Sequence, residues 1–424
     1  MPMTEDVEPQ PPQPLRSGLS RRGLLGLAAG GGAAALVAAG AGGFLAGVAQ
    51  RDGRQEPGSH SFFGAHQAGI TTPVQEHLHF AAFDMMPRSD RDTLVELLQD
   101  WTYASARMTQ GLEVSATGAV GGSPEAPPDD SGEALGLPAA ALTVTFGFGP
   151  TLFENEDGDR YGIRERRPPK LERLPPFLGE DLDPAQSGGD LCVQVCADDP
   201  QVAVHAIRNL SRIAFGRAKL RWSQLGFGKT SRTTTDQHTP RNLFGFKDGT
   251  ANILADDREA LREHVWVADD DEPAWLAGGS YLVARKIAML IETWDRVRLS
   301  EQEQIFGRDK GEGAPLSGGT EETAPKLSAL DEHSHVRLAH PDANGGTRIL
   351  RRGFNYVGGN NALGRMDAGL FFLAYQRDPE QFVSLQRRLS TDLLNEYIRH
   401  VGTGIWAIPA GVDEGSYIGA ALFA

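Results

Sequence analysis

The sequence has little cysteine and no excess of positive charge. Two of its 424 residues are cysteine, and the acidic residues outnumber the basic ones to give a formal net charge of −15. Such a chain repels polyanions and lacks the surplus of lysine and arginine that neutralises phosphates, so nucleic acid is not expected as a partner. Apolar residues make up 40% and charged residues 23% of the chain, which is ordinary for a soluble globular protein.

The cysteines Cys192 and Cys196 lie close together in the run LCVQVCA. The alternating pattern is typical of a strand, and at a rise of roughly 3.3 Å per residue their Cα atoms would lie about 13 Å apart. A disulfide requires a Cα separation of about 7 Å or less. We therefore expect both thiols to be small apolar side chains of the core, and neither a disulfide nor a metal pair.

Residues 1–49 have the pattern of an export signal. The run SRRGLL at 20–25 precedes a long stretch of Leu, Ala, Gly and Val, and 47–49 resembles a cleavage site. The paired arginines indicate twin-arginine export, which predicts a secreted, periplasmic or envelope-associated protein with no membrane span after the signal is removed. A retained anchor helix is the alternative, because the stretch is long enough to cross a bilayer. Twin-arginine export carries folded proteins, so the signal favours a bound prosthetic group.

Two passages of the remaining chain resemble each other. The predicted strand 191–197 is followed by Asp-Pro and an apolar-striped helix, and the predicted strand 369–375 is followed by the same sequence of features. A strand and a helix precede each of them, at 77–106, where Ser89 is the expected helix cap, and at 281–305, where 289–291 is the expected buried strand. The chain therefore contains two similar halves.

Repeated strand and helix pairs of this kind predict an α+β architecture of two ferredoxin-like units, each an antiparallel sheet with helices packed on one face. After a linker at 50–61, the N-terminal unit is expected at 62–220 and the C-terminal unit at 221–424. A doubly wound parallel fold is the alternative, although long loops and the lack of a Gly-rich phosphate turn count against it. The segments 117–137 and 307–326 are expected to be exposed loops.

Composition and spacing alone assign no chemistry to any of the 11 histidines. His-Glu-x-x-His, a nucleophile elbow and a phosphate loop are all missing from the sequence. Read from the residues alone, the chain is an exported two-unit α+β protein that is expected to bind a cofactor.

Three stretches together resemble the dye-decolourising peroxidase family: NLFGFKDGTAN at 242–252, DEHSHVRLAHP at 331–341 and ILRRGFNY at 349–356. The first contains the family signature Gly-x-x-Asp-Gly. Two further stretches, FGAHQAGI at 63–70 and GGSYLV at 278–283, agree in order and spacing. The resemblance spans nearly all of 62–420, and the closest subgroup is the exported deferrochelatase/peroxidase type.

The resemblance implies one haem b per chain, bound in the second unit, with His335 as the proximal iron ligand. His333 and His340 are the alternatives, and the family pattern favours His335 because it directly precedes a hydrophobic residue and an arginine. The second ring nitrogen should donate to a carboxylate or a carbonyl group, for which Asp342 is a candidate.

On the opposite side of the haem, the resemblance assigns Asp248 as the proton shuttle and Arg351 as the stabiliser of charge and a contact of propionate or peroxide. Two alternatives remain open. Asp248 could be a turn residue of its Lys-Asp-Gly context. Arg352 could take the role assigned to Arg351, since adjacent strand residues face opposite ways and only one of the two would face the site. Gly249, Thr250 and Ala251 are expected to line the haem, because glycine permits close approach of the backbone. Phe371 or Phe372 is expected to close the pocket.

The implied function is a peroxidase that uses hydrogen peroxide to oxidise dyes, phenols or other organic reductants. The alternatives are haem or iron handling of the deferrochelatase kind and haem storage without turnover. The tryptophans and tyrosines Trp266, Trp275, Tyr356 and Tyr375 could relay electrons, although buried aromatic residues are first of all packing residues. Ferredoxin-like units often associate, which makes a homo-oligomer compatible with the sequence, but no interface is indicated.

Overall fold

Apolar and β-branched residues form one continuous antiparallel sheet. A computed structural model describes residues 58–156 and 158–424, so the export signal and most of the linker lie outside the described residues. The strands are β1 His77–Met85, β2 Thr143–Phe148, β3 Leu191–Ala197, β4 Ala218–Lys229, β5 Ser280–Met289, β6 Leu350–Arg351, β7 Phe354–Asn360, β8 Met366–Gln376 and β9 Ile398–Ile408.

The helices lie between these strands, except for the last one, which follows β9, and most begin at an aspartate or a proline. The α-helices are α1 Arg91–Met108, α2 Pro150–Phe153, α3 Pro200–Ile213, α4 Arg258–His264, α5 Ile291–Trp294, α6 Leu299–Phe306, α7 His335–Ala339, α8 Pro379–Arg388 and α9 Ala420–Phe423. Short 3₁₀ helices span Arg164–Arg166, Pro184–Gln186, Ala274–Leu276, Leu327–Ala329, Pro341–Ala343, Leu389–Thr391 and Leu393–Glu396. Among the described residues, no helix has the length and apolar character that crossing a membrane requires.

The sheet closes on itself to form a barrel. Its strand order is β5-β9-β2-β3-β1-β4-β7-β8-β6, and β5 also pairs with β8. All of the strand pairs are antiparallel, which excludes the doubly wound parallel alternative. The first-half strands β1 to β4 are neighbours in this order, as are the second-half strands, so each half contributes one side of the barrel.

The two halves meet at two short seams. At the first seam, β2 pairs with β9 through Phe148 and Ala407 alone. At the second, β4 pairs with β7 only near residues 227–229 and 354–355. The buried Gln67 strengthens the first seam, because its amide group donates to the carbonyl oxygens of Phe146 at 3.0 Å and Pro409 at 2.9 Å.

Alternation along the strands separates two apolar clusters. The inner cluster fills the barrel with side chains from both halves, including Phe80, Phe371 and Trp406. The outer cluster packs helices such as α1 and α3 against the other face of the strands. Cys192 and Cys196 are free and buried in the inner cluster, which confirms that they are core residues without a disulfide.

Several local predictions are confirmed and others are wrong by a few residues. Strand β3 has the predicted bounds, β1 begins at the predicted residue 77, and Asp-Pro begins α3 and α8. Asp90 caps α1 in place of Ser89, because its carboxylate accepts from the backbone N–H of Thr93 at 2.9 Å. The predicted strand 289–291 is wrong, since β5 ends at Met289 and a helical turn follows.

Acid should destabilise the protein partly through His400 on β9. Burial lowers the pKa of His400 to about 3, and the charge of Arg285 acts in the same direction. Below about pH 6.5, His400 therefore binds a proton in the unfolded chain but not in the folded chain. As the pH is lowered, this residue reduces the free energy of unfolding by about 1.4 kcal/mol per pH unit. We expect His400→Leu to flatten the decline in stability between about pH 6 and pH 4, measured by urea unfolding. A slope in the His400 variant equal to that of the wild type would contradict the prediction.

Candidate active site

His335 is the first residue of α7, and a buried carboxylate holds one of its ring nitrogens. Nδ1 lies 2.6 Å from Oδ2 of Asp392, whose side chain is 3% exposed. Burial lowers the pKa of His335, but the charge and hydrogen bond of Asp392 outweigh it and leave the pKa above its usual value. The contact directs Nε2 away from Asp392 and leaves it available to a metal ion.

The imidazole of His335 remains partly accessible, with 31% of the side-chain surface exposed. The Phe306 ring lies 6.1 Å away at a steep angle. The charges of Asp248 and Arg351 also act on the pKa of His335, so both groups lie within electrostatic reach of the ring.

Asp248 and Arg351 form an ion pair. Oδ1 of Asp248 accepts a hydrogen bond of 2.8 Å from Nη1 of Arg351, and both side chains keep part of their surface accessible. The amide of Asn242 lies 3.4 Å from the other carboxylate oxygen. Asn252 fixes the backbone of Arg351 by accepting from its N–H at 2.8 Å and donating to its carbonyl oxygen at 2.9 Å.

Arg352 points into the barrel, away from this ion pair. Its guanidinium donates to the carbonyl oxygen of Thr72 at 2.6 Å and contacts the amide oxygen of Gln75. The residue is fully buried, as expected for a strand neighbour that faces the opposite way from Arg351. Of the two adjacent arginines, only Arg351 meets Asp248.

Truncating Arg352 should destabilise the fold. Arg352→Met would leave buried acceptors of the segment 70–75 without a donor, at a cost of about 2–4 kcal/mol in the free energy of unfolding. Denaturant unfolding followed by circular dichroism measures this change. Arg365→Met, at an exposed position of the β7–β8 hairpin, is the control and should change the stability by about 0.5 kcal/mol or less. Equal stabilities of the two variants would contradict this account.

The loop after Asp248 turns sharply and is hydrogen-bonded to the segment 307–326. Gly249 has φ +94°, and a Cβ atom there would lie 2.7 Å from Cα of Ser231, so a side chain does not fit. The hydroxyl of Thr250 donates to Glu321 at 3.1 Å, and Ala251 is exposed. These residues keep the carboxylate beside Arg351 through a tight turn.

The strand register separates the two candidate phenylalanines. Arg351 lies opposite Ala374 in the β6–β8 pair, so Phe372, two residues before Ala374, shares the face of Arg351. Phe371 faces the barrel interior, where its ring lies 5.3 Å from that of Phe80. Phe371 is therefore a core residue, and Phe372 is the aromatic residue on the face of the site.

The other histidine candidates lack the surroundings of His335. The side chain of His333 is 45% exposed, and α7 begins two residues later, at His335. His340 has Asp342 as its neighbour, with 3.7 Å between Nδ1 and the carboxylate. Asp342 is therefore not the partner of His335. No motif or spacing pointed to Asp392, which lies 57 residues further along the chain.

The segment 307–326 packs over the Asp248 loop and is only partly exposed. Arg241 donates to the carbonyl oxygens of Lys310 and Gly311 at 2.6 Å each. The carboxylate of Glu321 contacts Lys247 and Thr250. Burial raises the pKa of Glu321, but the hydrogen bond from Lys247 and its charge outweigh this effect and hold the pKa below its usual value.

These residues fit a haem group. A partly accessible imidazole with one nitrogen bound to a carboxylate is a suitable axial ligand for iron, and the carboxylate fixes the tautomer that leaves Nε2 free to bind. An acid and a guanidinium lie within electrostatic reach of that imidazole. The donor set therefore matches the chemistry that the sequence resemblance implied.

Comparisons with known proteins agree with this arrangement. The profile described as Dyp-type peroxidase, N-terminal, matches residues 67–228, and the one described as Dyp-type peroxidase, C-terminal, matches 239–413. Deferrochelatase from Escherichia coli K12 is 38% identical over 391 residues, which cover 89% of each chain.

Two solved structures extend the comparison. The oxyferrous complex of DtpA from Streptomyces lividans has a TM-score of 0.78 and 38% identity, and the match covers 86% of this chain and 98% of that one. A DypB variant from Rhodococcus jostii RHA1 in complex with heme, 20% identical with a TM-score of 0.59 over 81% of this chain and 95% of that one, shares the fold. The protein is a haem-dependent peroxidase, and the chain belongs to the Dyp-type peroxidase family.

Proposed function

We propose that His335 is the iron ligand, Asp248 the proton shuttle and Arg351 the charge stabiliser of a peroxidase that uses hydrogen peroxide to oxidise dyes, phenols or other organic reductants. The observation that carries this assignment is the 2.8 Å ion pair of Asp248 and Arg351, whose charges reach the ring of His335. Both side chains are partly accessible, so a small substrate can meet them.

The two sides of the site have different tasks. When bound, haem supplies the iron that peroxide approaches and the electrons that break its O–O bond. Asp248 accepts the proton of the inner oxygen and returns it to the outer oxygen, which leaves as water. Arg351 stabilises the negative charge that develops between these events, and Asp392 orients His335 through Nδ1.

The residues around this pair complete the pocket. Gly249, Thr250 and Ala251 form its wall through a turn that only glycine permits at the first position. Phe372 closes the pocket, because it shares the sheet face of Arg351. An aromatic side chain there would exclude water from the ion pair and strengthen its electrostatic effect.

A direct test follows the haem spectrum of the reconstituted protein. One equivalent of hydrogen peroxide should shift the Soret band, and a phenolic reductant should return it to its starting position with the phenol oxidised. An unchanged spectrum in both steps would contradict peroxidase function at this site.

The name of the deferrochelatase relative supports a second candidate, the release of iron from haem. That activity should give free iron and intact porphyrin from haem in the absence of peroxide. Extraction and fluorescence of the porphyrin after anaerobic incubation would detect it, and a lack of both products would remove this candidate. Haem storage instead predicts a Soret band without any turnover.

We also infer that each half is a ferredoxin-like unit. The orders β4-β1-β3-β2 and β9-β5-β8-β7 follow the same pattern when the four main strands of each half are numbered along the chain. A boundary after β4 is preferable to one at residue 220, which falls inside that strand. Twin-arginine export, by the signal at 1–49, and association into a homo-oligomer complete the proposal.

A further inference from the structure

A carboxylate from the segment 307–326 contacts residues on both sides of Asp248. Oε2 of Glu321 pairs with Nζ of Lys247, and Oε1 accepts a hydrogen bond of 3.1 Å from the hydroxyl of Thr250. The side chain of Glu321 is 18% exposed, so solvent screens these contacts only in part. Nη1 of Arg308 donates to the main-chain oxygen of Glu321 at 2.9 Å, which holds this part of the segment in place.

The charge of Lys247 makes this contact important for its neighbour. If it were released from Glu321, an ammonium group next to Asp248 in the chain would compete with Arg351 for the same carboxylate, since unlike charges attract strongly in a partly buried site. The carboxylate of Asp248 has one firm partner, Arg351 at 2.8 Å, and one weak contact, with Asn242 at 3.4 Å. A free ammonium group could therefore draw it away.

We propose that Glu321 is a positioning residue for the peroxide reaction: it holds the ammonium group of Lys247 away from Asp248, so that Asp248 stays paired with Arg351. The inference rests on the proposed role of Asp248 as proton shuttle. It assigns no contact with substrate or haem to Glu321.

The next residue provides a matched control. Glu322 belongs to the same segment and pairs with Arg232 at 2.6 Å, but 62% of its side chain is exposed. Glu322 therefore contacts Arg232, whereas Lys247 and Thr250 are contacts of Glu321. Glu322→Gln removes the same charge from the same segment and leaves Lys247 paired.

The decisive experiment compares Glu321→Gln with the double variant Glu321→Gln/Lys247→Gln in the haem-loaded protein. We expect the single variant to lower the rate constant for peroxide by about tenfold to a hundredfold, as for a displaced catalytic group, with the KM for the reductant unchanged. The double variant should regain most of the lost rate, since no free ammonium group remains.

The recovery separates this role from a merely structural one. If Glu321 only held the segment in place, the second substitution would restore nothing, and that result would overturn the proposal. A single variant that reacts like Glu322→Gln, within about twofold of the wild type, would also overturn it. Equal melting temperatures and Soret absorbance establish that the variants are folded and loaded. If Asp248→Asn reacts normally with peroxide, the proposed function of Asp248 fails first, whereas a slow Asp248→Asn beside a normal Glu321→Gln contradicts this inference alone.

Discussion

Replacing His335 with alanine is expected to abolish the Soret band of the reconstituted protein. The imidazole is partly accessible, and Asp392 holds its Nδ1 at 2.6 Å so that Nε2 is left for the iron. Alanine removes the axial bond and leaves the buried carboxylate of Asp392 without its partner. Titration of haem into the protein, followed by absorption, measures the loss.

The competing histidines serve as controls. His333→Ala and His340→Ala should bind haem like the wild type, because neither ring has a buried carboxylate partner. Asp392→Asn should keep the ligand but weaken haem binding by about tenfold to a hundredfold, as is usual for the partner of a ligating histidine. A Soret band that survives in His335→Ala and disappears in His333→Ala would reverse the assignment.

Asp248→Asn should slow the reaction with peroxide by about 10² to 10⁴-fold while the protein keeps its haem. The amide has nearly the shape of the carboxylate and can accept from Arg351, but it cannot take up the proton of peroxide. Stopped-flow absorption at the Soret band gives the rate constant. The effect should fall on the peroxide step and leave the KM for the reductant unchanged.

Asp256→Asn is the matched control for this substitution. Asp256 is exposed and lies eight residues beyond Asp248, outside the ion pair. Its variant should react with peroxide at the rate of the wild type. Equal rates for both variants and the wild type would remove Asp248 from the mechanism and return it to the turn role that its Lys-Asp-Gly context also fits.

Motif resemblance could predict the residues of the site that lie within short, recognisable stretches. His335, Asp248 and Arg351 each belong to such a stretch, and the structure brings the last two into contact. The choice between Arg351 and Arg352 required the direction in which each side chain leaves the strand. The sequence shows that adjacent strand residues face opposite ways, but only the fold decides which arginine meets Asp248.

Residues brought in from distant parts of the chain could not be predicted. Asp392 follows α8 in a 3₁₀ turn, and no spacing rule connects it to His335. Glu321 lies in a Gly- and Glu-rich segment whose composition predicts solvated surface, yet its carboxylate contacts Lys247 and Thr250. Phe371 and Phe372 are indistinguishable by composition, and the register of β8 against β6 separates them.

The closure of the sheet into a barrel also could not be predicted from the sequence. Periodicity shows that a strand has one buried face, and the two similar passages indicate two similar halves. Neither pattern shows that the strands of the two halves join edge to edge, because the backbone pairs that join them involve so few residues, such as Phe148 with Ala407. The inner faces of both halves then share one core, which explains why so many strands are buried on both sides.

The short seams have a consequence for how the molecule opens. Within each half, strands such as β5 and β9 are paired along most of their length, whereas the halves are joined at a few backbone positions. Thermal fluctuations should therefore part the barrel along its seams before either half loses its own strands. In hydrogen exchange, amide protons at the seams would be replaced by deuterium early and those at the centre of each half late. The protein would then behave as two cooperative folding units within one continuous sheet.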